Sequence, residues 1–158
     1  MSVSKSLAEL FSRDLSRLIR QIDAFPDDEA LWRTLPGIAN SAGNLALHIE
    51  GNLREFIGRQ LGQLPYIRKR DLEFSFKGIG RKELGERLAE VNRSIPPIVA
   101  ELSTEQLEMD YPEAVLGTPM STQAFLIHLY GHLNWHVGQV HYLRCIIAGD
   151  QISTSPSR

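Results

Sequence analysis

Apolar residues recur at intervals of three and four positions over four long stretches of the chain, which is the spacing of amphipathic helices. The predicted helices cover residues 4–25, 38–61, 81–102 and 122–148. Proline or glycine follows the first and last of them, and Ser121 or Thr122 is expected to cap the fourth. The buried face of the fourth helix is predicted to comprise Phe125, Leu129, Leu133, Val140, Leu143 and Ile147.

The segments between these helices carry the residues that interrupt helices. Residues 62–80 contain one proline and three glycines and are predicted to form a long loop, and 103–120 is predicted to be irregular. Pro96 and Pro97 are expected to kink or split the third helix, because proline lacks the amide donor. With no credible sheet, the pattern predicts an all-α four-helix bundle with at least one long crossover connection. The bundle is predicted to form one domain, residues 1–150, followed by a polar tail, residues 151–158.

Composition narrows the class of protein further. The chain has 158 residues, of which 42% are hydrophobic and 23% charged, and its net charge is -2. These values are typical of a soluble globular domain and give no general attraction to nucleic acid or to anionic lipid. No signal peptide is evident, and no segment approaches the roughly 18 apolar residues of a membrane span. A cytoplasmic location is therefore expected.

The single cysteine, Cys145, excludes an intramolecular disulfide and a cysteine-rich zinc site. It lies in an apolar run, where a small buried thiol is favoured over a nucleophile.

The candidate chemistry lies in the histidines, four of which fall in "HLYGHLNWHVGQVHYLR". His128, His132 and His136 are four residues apart and so form a ridge on one side of the helix. His132 and His136 lie along the apolar face, whereas His141 lies nearly opposite His132, where a surface or interface role is favoured. His128 lies one step round from the centre of the stripe, where a pocket-rim or core role competes with metal ligation.

Two histidines on one helix bind a metal ion weakly, so a third ligand must come from elsewhere. His48 on the second predicted helix also faces the bundle. From the residues alone, two interpretations remain open: a three-histidine metal site, or a polar core in which the imidazoles are satisfied by hydrogen bonds.

Two segments resemble a known family. "HLNWHVGQV" is similar to the HxxxHxGQ signature of the DinB-like superfamily, which includes the YfiT-type metal-dependent hydrolases, and "LALHIEGNLREFIG" is similar to the segment that bears its first histidine. The resemblance implies a bundle with a long crossover, a homodimer, and a divalent ion bound by His48, His132 and His136. It further implies chemistry of the kind seen in relatives that are thiol S-transferases or a mycothiol-dependent isomerase.

Three imidazoles leave a bound ion with an open coordination position, as in catalytic zinc sites. Zinc is the expected metal, with nickel, iron or copper as alternatives, and a low-molecular-weight thiol is a candidate second cofactor. Asn44, Asn52, His128 and Gln139 are expected to line the pocket or to hydrogen-bond to the ligands. For the three amide side chains, ordinary hydrogen bonding between helices is an equally open interpretation. Glu50 is expected to point away, and the sequence identifies no catalytic residue.

The leading hypothesis is a metal-dependent enzyme, of hydrolase or thiol S-transferase type, acting on a small molecule. The alternative is a non-catalytic metal-binding bundle that acts through a homodimer surface. Nucleic-acid binding finds no support, since the chain has no basic stripe and no aromatic platform.

Overall fold

The structure is a computed structural model and describes residues 2–115 and 117–149; the predicted polar tail lies outside them. The described chain is helical, with no β-strand in these residues. In chain order the helices are α1 Val3–Asp23, α2 Asp28–Leu31, α3 Ala42–Leu53, α4 Arg70–Ser75, α5 Arg81–Glu101, α6 Thr104–Glu108 and α7 Thr122–Ala148, and α3 continues as a π-helix over Arg54–Arg59.

The four long helices form the predicted bundle. α1 packs against α5 and α7, and α3 packs against the same two helices from the opposite corner. α1 and α3 therefore lie at diagonal corners of the bundle, and so do α5 and α7. A segment that joins diagonal corners must cross an end of the bundle, which accounts for the length of the connections 24–41 and 102–121 and confirms the crossover.

The bounds of α7 agree with the prediction because local signals define both ends. The Ser121 hydroxyl accepts a hydrogen bond from the amide of Ala124, and Gly149 ends the helix with a left-handed φ of 73°. The predicted apolar face is buried except for Ile147, which is partly buried.

Two predictions about the other segments were wrong, and so was the alternative that the third helix splits at its prolines. Residues 62–80 are not loop throughout, since they contain α4, and 103–120 contain α6, which begins with a capping box formed by Ser103 and Gln106. α5 runs unbroken through Pro96 and Pro97. Both prolines lie in its last two turns, and Ile95 and Val99 are fully buried on either side of them. Packing therefore holds the helix together where the missing amide donors would end it.

A buried carboxylate joins α1 to α7. The side chain of Asp14 is fully buried and accepts hydrogen bonds from Tyr130 (2.8 Å) and Asn134 (2.8 Å) of α7 as well as from Arg13 and Arg17. Burial acts to raise the pKa of this carboxyl, but the hydrogen bonds outweigh it and hold the pKa below its usual range. This contact fixes α7 beside the first helix.

No helix in the described part of the chain is long and apolar enough to cross a membrane.

Candidate metal centre

Three histidines from α3 and α7 converge on one point. The Nε2 atom of His132 lies 3.2 Å from Nε2 of His48 and 3.0 Å from Nε2 of His136. One ligand atom from each of the three lies within 4.8 Å of the others, so the group could hold a metal ion. The structure thus brings together the three residues that the sequence predicted as ligands.

The packing of α3 determines how His48 reaches this point. All twelve residues of α3 are buried, because the helix is enclosed by α4, α5 and α7. His48 is 7% exposed and faces α7, where the four-residue spacing of His132 and His136 aligns two half-buried imidazoles on one side of the helix.

A carboxylate orients the first histidine. Nδ1 of His48 donates to Oε2 of Glu73 at 2.8 Å, and Arg68 donates to both carboxylate oxygens at 2.7 and 2.9 Å. Glu73 is 6% exposed and lies on α4, within the segment that was predicted to be a loop. Its bond to Nδ1 leaves the Nε2 lone pair of His48 directed at the other histidines.

The position of Glu73 depends on a glycine and an asparagine of α3. A Cβ atom on Gly51 would lie 2.1 Å from Oε1 of Glu73, so only glycine admits the carboxylate at this place. Asn44 donates through Nδ2 to the backbone oxygens of Glu73 (3.1 Å) and Phe76 (3.0 Å), and its own oxygen accepts from Ser41. Asn44 therefore contributes through the backbone of residues 73–76, and its side-chain hydrogen bonds do not include the histidines.

Gln139 orients the third histidine, as its position three residues after His136 suggested. Its Oε1 atom accepts from Nδ1 of His136 at 2.7 Å. Burial lowers the pKa of His136 and so favours its neutral form, in which the Nε2 lone pair is free.

These tautomers provide a test of whether a cation fits the cluster. With Nδ1 engaged as donor in both, the neutral forms of His48 and His136 each present an Nε2 lone pair, and His132 can offer at most one N–H between them. At least one acceptor at the centre is therefore left without a donor, an imbalance that a cation would remove. A tetrahedral zinc ion with 2.0–2.1 Å bonds requires nitrogens about 3.3–3.4 Å apart. The two distances to His132, 3.0 and 3.2 Å, are close to that spacing, and the ligand atoms of His48 and His136 lie within 4.8 Å of each other, so the residues can close on the ion with a small movement.

Electrostatics keep the ligands in the form that binds metal. Burial, together with the neighbouring His136 and His48, lowers the pKa of His132 to about 4. Burial also lowers the pKa of His136. For Glu73, burial acts to raise the pKa, but hydrogen bonds from His48 and Arg68 outweigh it and hold the pKa below its usual range. At neutral pH His132 and His136 are neutral and Glu73 is ionised.

The remaining candidates lie around the cluster without joining it. His128 is exposed, and its ring stacks at 6.5 Å on that of His132. Asn52 is buried one turn beyond His48, and its Oδ1 atom has no hydrogen-bond partner among the described residues. Glu50 points away, as predicted, and pairs with Arg54 and Arg87.

His141 also lies apart from the cluster. Its Nδ1 atom is 3.3 Å from Oε1 of Gln21 on α1, and the buried Cys145 lies beside its ring. The predicted buried thiol is confirmed.

Reasoning from sequence missed Glu73 and its partner Arg68. Two acidic residues in the first turn of α4, Asp71 and Glu73, are a helix-start signal within the segment. That signal could have revealed the short helix. It could not have shown that one of the two carboxylates contacts a histidine 25 residues earlier in the chain.

The comparisons with known proteins bear on the fold. No protein-family model matches the sequence, and no curated protein is significantly similar to it. Several solved structures resemble the chain, among them the following two. A DinB-like protein from Bacillus cereus is 22% identical, with a TM-score of 0.67 over 90% of this chain and 91% of that one. A conserved protein from Enterococcus faecalis is 18% identical, with a TM-score of 0.75 over 95% and 99%. The chain therefore has the fold of DinB-like proteins, as the two sequence segments indicated.

Proposed function

We propose that the chain is a metal-dependent enzyme of the hydrolase or low-molecular-weight-thiol S-transferase type. In this proposal His48, His132 and His136 hold one divalent ion, with zinc the preferred metal and nickel or iron the alternatives. The observation that carries the proposal is the convergence of three Nε2 atoms, two of them on imidazoles whose Nδ1 atoms are already engaged.

An ion bound by three imidazoles supplies a Lewis acid with a position open to a substrate or nucleophile. The chain's own residues prepare that position. Glu73 and Gln139 fix the tautomers of His48 and His136, and burial keeps His132 unprotonated at neutral pH. The negative charge of Glu73 also makes His48 a stronger electron donor.

Glu73 acts as a positioning residue in this scheme. Both of its oxygens accept hydrogen bonds from Arg68, and Oε2 also accepts from His48. A carboxylate occupied in this way is poorly suited to take a proton from water. This favours a nucleophile that ionises easily by itself, and a thiol, with a pKa of about 8.5, does so far more readily than water. The occupied carboxylate therefore supports the thiol-transferase form of the proposal over the hydrolase form.

We further propose a second copy of the chain as partner. The resemblance to DinB-like proteins supports a homodimer. So do the exposed apolar side chains of Ile127 and Trp135 on one side of α7.

A turnover screen tests the enzymatic part of the proposal. The zinc-loaded protein is incubated with low-molecular-weight thiols and small electrophiles, and in parallel with esters and amides. Loss of free thiol together with formation of an S-conjugate is the expected result. The activity should disappear in His132→Ala and persist in His128→Ala, which alters an exposed histidine beside the cluster. Metal-loaded protein without turnover on any substrate class would contradict the proposal and favour a non-catalytic bundle.

A further inference from the structure

A cavity of about 450 Å³ adjoins the histidine cluster. It lies between residues 35–40, the first half of α3 and the second half of α7. His136 and Gln139 form part of its wall. Anything bound in this cavity therefore lies against a residue of the proposed metal site.

The walls of the cavity are mainly apolar. The apolar side chains that line it are Leu35, Ile38, Ala39, Leu45, Leu143 and Ile146. The polar side chains are those of Asn40, His136, Gln139 and Tyr142, and among the described residues that line it there is no lysine, arginine, aspartate or glutamate. An ionic group placed here would lose hydration without gaining a counter-charge.

The sequence builds one side of this cavity with a tight turn. The amide of Ile38 donates to the carbonyl of Leu35 at 2.9 Å, and Gly37 has a φ of 78°. Proline and then glycine at the two central positions are typical of a type II turn, in which the glycine must adopt a positive φ. The turn places Ile38 at the mouth of the cavity, where it is 48% exposed.

We propose that this cavity binds the uncharged, apolar body of the small-molecule substrate, with the substrate's polar group directed to the histidines. Only the second part of this proposal, the placement of the polar group at the histidines, rests on the metal site proposed above. A charged thiol cofactor is a poor match for these walls, so the occupant is the reaction partner that carries an alkyl or aryl group. Apolar surface that enters the cavity leaves water, and this supplies the affinity.

Binding to the metal-free protein tests the cavity by itself. Straight-chain alcohols from propanol to octanol are titrated and followed by amide chemical shifts. Each added methylene should raise the affinity about fourfold until the cavity is full. The shifts should centre on Leu45 and Leu143, and carboxylates of the same chain length should bind far more weakly. A flat dependence on chain length, or equal binding of the carboxylates, would overturn the proposal.

Two matched variants localise the effect. Ile146 lines the cavity and is 55% exposed, whereas Ile127 lies near the other end of α7, outside it, and is 51% exposed. Ile146→Glu should weaken octanol binding at least tenfold, and Ile127→Glu should leave it unchanged. An equal effect of both substitutions would overturn the assignment to this cavity. Neither exposed position is expected to disturb folding.

A second binding experiment tests the cavity and the metal site separately. Zinc is added, and alkyl hydroxamates, which carry a metal-binding head group, replace the alcohols. The affinity should then rise with zinc and still increase with chain length. Zinc-dependent binding with the same affinity at every chain length would overturn the cavity proposal and would still support the metal site. Chain-length dependence without any zinc binding would uphold the apolar cavity and reject the metal site.

Discussion

Replacing Gly51 by alanine should weaken metal binding without touching a ligand. The added Cβ atom would lie 2.1 Å from Oε1 of Glu73, against 3.4 Å for ordinary contact, so the carboxylate must retreat by about 1.3 Å. A shift of that size lengthens the 2.8 Å bond between Glu73 and His48 beyond hydrogen-bonding range. His48 then loses the partner that fixes its tautomer.

The magnitude follows from the same contacts. Loss of the residue that accepts a hydrogen bond from a metal-binding histidine typically lowers metal affinity about 10- to 100-fold. Stability should change less. A hydrogen bond to a charged group contributes about 1.5–3 kcal/mol, but alanine is favoured over glycine in a helix by about 1 kcal/mol. The free energy of unfolding of metal-free Gly51→Ala should therefore fall by no more than about 2 kcal/mol.

The assay is competition for zinc with a chromophoric chelator, performed on wild type, Gly51→Ala and Gly85→Ala. Gly85 is the matched control, since it lies within α5 and a Cβ there would meet nothing within 4 Å. It should gain stability and keep its zinc affinity. Glu73→Gln should lower the affinity as Gly51→Ala does, and the double variant should lose no more than either single one, because both act on one contact. Zinc affinity of Gly51→Ala within twofold of wild type would refute the positioning role of Glu73.

Three further predictions concern stability and pH. Asp14→Asn should lower the free energy of unfolding by about 1.5–3 kcal/mol in denaturant titrations, because it weakens the contact between α1 and α7. The pKa of Asp14 is depressed in the folded state, so its contribution is present above the unfolded pKa of about 3.9 and is lost as the pH falls through the lower folded value. Wild type should therefore lose stability on acidification below about pH 4 more steeply than Asp14→Asn, and parallel pH profiles would contradict this. Gly37→Ala should lower the free energy of unfolding by about 1–2 kcal/mol, because its φ of 78° is strained for alanine; an unchanged melting temperature would argue against the turn.

The sequence predicted most accurately where local rules act. The bounds of α7 follow from Ser121 and Gly149, and the histidine spacing on that helix places His132 and His136 side by side whatever else the fold does. His48 was identified as the third member because it lies on the inward side of its helix. That argument was weaker than it looked, since every residue of α3 is buried and burial alone does not distinguish His48 from its neighbours.

The sequence could not reveal the carboxylate that orients His48. Glu73 contacts His48 only because the six-residue helix α4 docks on α3, and that docking depends on Gly51 and Asn44. Neither residue has a local pattern that points to a partner more than twenty positions away. The same limit applies to Pro96 and Pro97, where tertiary packing overrides the local tendency of proline to end a helix.

Metal stoichiometry tests the central claim most directly. The protein is purified without a histidine tag, stripped with a chelator, reloaded with zinc and measured by elemental analysis alongside single variants. One ion per chain is expected in wild type and in His128→Ala and His141→Ala, whose side chains lie outside the cluster. His48→Ala and His132→Ala should each retain far less. A wild-type chain that takes up no ion, or a His132→Ala variant that keeps a full one, would contradict the three-histidine metal site.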